Sequence, residues 1–102
     1  MNFHKLRLLT IVTESALEST LVADIEKLGA RGYTVTNARG NGSRGVRSGD
    51  WGASSNIRME IVCDAKTEEA IACHLKERYY KNYAMILFGT DVDVMRSGKF
   101  SS

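Results

Sequence analysis

Two arginines three residues apart, Arg44 and Arg47, stand in a run of glycine and serine that is suited to holding an anion. The run spans residues 40–56 and contains five of the chain's nine glycines, with Arg39 just ahead of it and no acid before Asp50. Glycine lets successive backbone N–H groups point into one concavity, and a guanidinium beside that concavity adds paired, charge-assisted donors. Phosphate is the natural occupant, with Arg44 and Arg47 as the candidate contacts; the alternative is that both arginines are solvated loop charges. A loop of this length within one domain is usually either functional or disordered. Trp51, the chain's single tryptophan, sits in the same run, where a large aromatic suits a partner interface, a fold-back over a ligand or packing against the sheet.

Other reactive side chains lack companions. Cys63 and Cys73 form neither a CxxC pair nor a Cys/His ligand pattern, so neither a disulfide framework nor a metal site is expected. His74 lies off the apolar stripe of its helix and is expected at the surface, and His4 is terminal. Tyr79, Tyr80 and Tyr83 are expected as core or interface aromatics. Glu14 and Glu60 are isolated acids with no nucleophile placed beside them, so no catalytic set is expected.

The elements that must position the arginines follow from periodicity. Residues 6–12 are a Leu- and Ile-rich strand. Ser15 and Glu18 have capping-box spacing, and Leu17, Leu21, Ile25 and Leu28 predict a helix that ends at Gly29. Residues 33–38 alternate as a half-buried strand, and Ile57, Met59 and Ile61 alternate with Arg58 and Glu60 in a third strand, expected to pair with the second across the loop. Thr67 is expected to start a second helix with the stripe Ile71, Leu75 and Tyr79. Residues 84–88 form a further strand, and Val92 and Val94 suggest a short edge strand. The order β-α-β-β-α-β predicts an α+β, ferredoxin-like fold with both helices on one face of an antiparallel sheet. The opposite face then needs cover, and a closed ring of identical subunits would supply it. One domain is expected over 1–96, with the loop at 40–56 and a short tail at 97–102.

The formal net charge of +2 argues against a dedicated nucleic-acid binder. The expected third strand also carries no aromatic for base stacking, which argues against an RNA-recognition module. No apolar run approaches the roughly 18 residues of a membrane span, and residues 1–5 lack the apolar core of a signal peptide, so a cytoplasmic setting is expected.

The segments Leu9-Thr10-Ile11-Val12-Thr13-Glu14, Gly32-Tyr33-Thr34-Val35, Gly42-Ser43-Arg44-Gly45-Val46-Arg47-Ser48 and Tyr80-Lys81-Asn82-Tyr83-Ala84 resemble the PII-like signalling proteins of the carboxysome-associated SbtB type. The resemblance implies a homotrimer whose long T-loop, 40–56, reports on adenine nucleotides bound between subunits. It places the nucleotide phosphate on Ser43, Arg44 and Arg47, the adenosine beside Thr13 and Thr36, and the base against the backbone of Ala84, Met85 and Leu87. It further implies control of a membrane transporter for bicarbonate or a related anion, with peripheral association at the inner membrane, and bicarbonate as a second ligand. The Gly-Asp-Gly-Lys phosphate loop of ordinary PII proteins is replaced here by Tyr80-Lys81-Asn82-Tyr83, which favours AMP, ADP or cyclic AMP over ATP. A small phosphate-ester hydrolase is the alternative, because an arginine nest can also stabilise a phosphoryl-transfer transition state.

Overall fold

The computed structural model describes residues 3–40 and 55–95. Strand β1 (His4–Glu14) leads through a 3-10 turn (Ser15–Leu17) into helix α1 (Glu18–Lys27). Strands β2 (Thr34–Ala38) and β3 (Asn56–Cys63) flank the long central segment, and helix α2 (Ala65–Tyr79) and strand β4 (Ile86–Val94) complete the order. The four strands form one sheet in the order β2-β3-β1-β4, antiparallel at every junction. This is the expected ferredoxin-like arrangement.

Side chains alternate across a pleated strand, so the register fixes both faces. Leu9 pairs with Ile61, Ile11 with Met59 and Leu87, and Met59 with Val35. Those residues lie under Leu17, Leu21 and Ile25 of the first helical segment and Ile71, Leu75 and Tyr79 of α2, forming the core. The other face carries Leu6, Leu8, Thr10 and Val12 of β1, Thr34 and Thr36 of β2, Arg58 and Glu60 of β3, and Ile86 and Phe88 of β4. No element of the described residues covers that face, and Ile86 and Phe88 are 58% and 47% exposed.

Three local expectations are corrected. Ser15 does not cap α1: helical turns begin on it, no side-chain cap is formed there, and its hydroxyl is engaged with Ser55. Helix α2 starts before Thr67, because the Asp64 carboxylate accepts the Thr67 backbone N–H at 2.8 Å and serves as N-cap. Thr67 is instead buried, facing Gly29, whose φ of +108° closes the preceding helix as a C-terminal glycine should. Residues 86–94 form one strand rather than two, since β1 extends to His4 and supplies partners as far as Val94.

Candidate ligand-binding end of the sheet

The end of the sheet where β1 and β2 finish and β3 and β4 begin collects most of the expected contacts that lie among the described residues. Thr13, 2% exposed, donates its hydroxyl to the Ala84 carbonyl at 3.2 Å. The end of β1 is thereby pinned to the segment that joins α2 to β4. Met85 is in the core and Leu87 packs against it, while Ile86 between them is exposed on the opposite face. Strand β4 is an edge, which leaves its outward N–H and C=O groups available to another molecule. Thr36, exposed on β2, faces away from the helices and is paired in register with Arg58. The Arg58 guanidinium reaches toward Phe88, 5.9 Å from its ring centroid, and its Nε lies 3.3 Å from Glu60.

The same end receives both feet of the glycine-rich segment. Arg39 and Gly40 are exposed at its start, and Ser55 returns against the beginning of the 3-10 turn. The Ser15 backbone N–H and hydroxyl both donate to the Ser55 carbonyl at 3.0 Å, and the two serine hydroxyls are 2.6 Å apart. Gly42, Ser43, Arg44, Arg47 and Trp51 lie outside the described residues, as does the tail 97–102.

After α2, the Asn82 and Tyr83 N–H groups both return to the Tyr79 carbonyl, at 3.1 and 3.0 Å. Tyr83 meets Tyr79 edge-on at 5.8 Å between centroids, while Tyr80 and Tyr83 are 40% and 38% exposed. Only Tyr79 of the three is a core residue.

Two polar clusters that periodicity did not anticipate brace the scaffold. The buried Asp24 carboxylate accepts the Tyr79 hydroxyl at 2.7 Å and Arg78 Nη1 at 3.0 Å, joining the two helices. His74 is less superficial than expected: its Nε2 is buried, 3.6 Å from Asp24 Oδ2, although the side chain is 39% exposed. The signal was present, because Asp24 sits three residues after Leu21, within an apolar stripe where a carboxylate requires partners. Burial first, then the Asp24 hydrogen bond, pushes the Tyr79 phenol up to about 12. The second cluster centres on Arg7, which holds Glu68 at 2.9 Å and Asp91 at 2.8 Å. These hydrogen bonds raise the guanidinium's pKa and lower that of the Asp91 carboxyl.

Residues 6–99 match the family model described as Nitrogen regulatory protein P-II. The chain belongs to the P-II family. It is 45% identical to a PII-like signaling protein from Thermus thermophilus, with a TM-score of 0.84 over 98% of this chain and 99% of that one. The fold is also that of CPII from Thiomonas intermedia. The structure of CPII with ADP, AMP and acetate has 18% identity, a TM-score of 0.87 and full coverage of both chains. Its structure with ADP and bicarbonate has 21% identity, a TM-score of 0.84 and 97% coverage of each. Within this P-II fold, no helix among the described residues is long and apolar enough to cross a membrane, and those residues contain no group of three or more His, Cys, Asp or Glu able to hold a metal ion.

Proposed function

We propose that this P-II-family chain is a non-catalytic sensor of adenine nucleotides that regulates transport of bicarbonate or a related anion. The observation that carries this reading is the convergence, at one end of the sheet, of Thr13 on Ala84, the outward backbone of an edge strand, and both feet of the segment bearing Arg44 and Arg47. The 45% identity to a PII-like signaling protein supports the signalling role, and CPII, which shares the fold, binds ADP, AMP and bicarbonate. Ser43, Arg44 and Arg47, with the backbone at Gly42, hold the phosphate. Thr13 and Thr36 flank the adenosine, and the backbone at Ala84, Met85 and Leu87 reads the base. Three copies packed by their open sheet faces complete the clefts. Segment 40–56, with Arg47 and Trp51 as contacts, carries the signal to a transporter, which brings this cytoplasmic protein to the inner membrane.

Hydrogen bonds from a charged donor contribute about 1.5–3 kcal/mol each, so two arginines with backbone donors suffice for micromolar affinity. Arg44→Ala or Arg47→Ala is expected to weaken ADP or AMP binding about tenfold in calorimetric titration without altering the unliganded melting temperature. Parallel titrations with cyclic AMP and bicarbonate rank the effectors. Nucleotide retained intact supports the sensor, whereas release of inorganic phosphate that disappears in Arg44→Ala would establish the hydrolase instead. Unaltered affinity in both arginine variants would remove the phosphate assignment.

A further inference from the structure

We infer that the Tyr83 ring is a binding contact for the adenine base, stacking on it beside the edge of β4, an inference that rests on the adenine-nucleotide reading above. Tyr83 is the last residue before the stretch assigned to the base, and its backbone is fixed from both sides. Its N–H donates to the Tyr79 carbonyl at 3.0 Å, and the carbonyl of the next residue, Ala84, accepts the Thr13 hydroxyl at 3.2 Å. Tyr33 and Tyr80 are similarly exposed, but Tyr33 precedes β2 at the opposite end of the sheet and Tyr80 stands at the C-cap of α2.

The ring is held as well as the backbone. It meets the Tyr79 ring at 5.8 Å between centroids and 65° between planes. Tyr79 is itself anchored in the core, with its hydroxyl on Asp24 at 2.7 Å and the Arg78 guanidinium 5.4 Å over its ring. Tyr83 nevertheless stays 38% exposed, so the Tyr79 contact orients the ring without covering it. An aromatic fixed in this way loses little rotamer freedom when a ligand stacks on it, and lost freedom is what subtracts from affinity. Stacking uses no hydrogen-bond donor and accepts any base, so the choice of adenine is left to the outward backbone groups of the edge strand alongside.

The test titrates the full chain with ADP and adenosine and observes the bound base by NMR. In the wild-type complex the adenine H2 and H8 resonances are expected to move upfield in a ring current and to show NOEs to the tyrosine whose ring signals vanish in Tyr83→Phe. Tyr83→Leu, which keeps an apolar side chain against Tyr79, is expected to weaken ADP and adenosine by the same factor, about tenfold, and to abolish the upfield shift. Tyr83→Phe retains the wild-type affinity. Unshifted adenine protons in the wild-type complex, a result independent of how any variant folds, would overturn the inference alone. So would unchanged ADP affinity in Tyr83→Leu, or a Tyr83→Leu chain that falls from the wild-type mass in light scattering, which would make Tyr83 a subunit contact instead. Wild-type protein that takes up neither ligand removes the nucleotide reading and this inference with it.

Discussion

Asp24 is the residue whose surroundings have the sharpest energetic consequence. A buried carboxylate is tolerated only when its lone pairs are occupied, and Tyr79 and Arg78 supply those donors. Tyr79→Phe removes the shorter hydrogen bond while keeping the ring in the core. It is expected to lower stability by about 1.5–3 kcal/mol, seen as a drop of several degrees in the melting temperature. The phenol also sets a pH dependence. Its folded pKa of about 12 lies above the ordinary 10.0, so the folded state holds the proton more tightly. That contribution is complete below pH 10.0 and is lost as pH rises toward about 12. The Cys63 thiol, pushed up from 9.0 to about 11 chiefly by burial, acts in the same direction over a slightly lower window. Denaturant melts across the alkaline range are expected to show falling stability. In Tyr79→Phe the upper part of that fall should flatten, and an identical slope in the variant would rule out this assignment.

Among the elements, β4 has the most specific local requirement. Its Gly89 pairs with Leu9 on the helix-facing side, where a Cβ would collide with Glu68 Oε2 and lie 2.7 Å from Arg7 Nη2. The glycine therefore leaves room for the Arg7–Glu68 pair, which ties β1 to α2. Both obstructing atoms are the ends of flexible side chains, so Gly89→Ala is expected to displace the pair rather than the strand. The loss should stay within about 1 kcal/mol, as for other partly exposed ion pairs, and should shrink at high salt. A thermal melt in low and high salt checks both statements. Helix starts illustrate how much of an element can be read from its sequence. Leu21 and Ile25 mark α1, and Leu17 the turn that leads into it, because an apolar stripe needs only the helical period. The Ser15–Glu18 spacing misled because Ser55, forty residues away, offers the hydroxyl a competing partner. Asp64 is hard to read as a cap for the simpler reason that it directly follows the alternating run of β3.

For the whole molecule, the open face of the sheet is the feature that calls for a partner. Ile86 and Phe88 expose apolar surface beside Val12 and Thr10, on a face that both helices leave bare. Identical subunits would cover it, and burial of such surface contributes about 25 cal/mol per Å². Light scattering is expected to return three times the chain mass. Phe88→Glu, which puts a charge on that apolar surface, should shift the protein to monomer and weaken ADP binding in parallel. A variant that remains trimeric would place the interface elsewhere. Local patterning was enough to dictate the element order, the two helical stripes, the half-buried strands and the cationic character of segment 40–56, because each depends on neighbours within a few residues. Strand order and register, the Thr13–Ala84 and Ser15–Ser55 junctions, the two braced ion clusters and the merging of 86–94 into one strand were settled by the folded chain instead. Each of those joins residues far apart in the chain, and a hydroxyl or carboxylate has no preferred partner until folding brings one within hydrogen-bond reach.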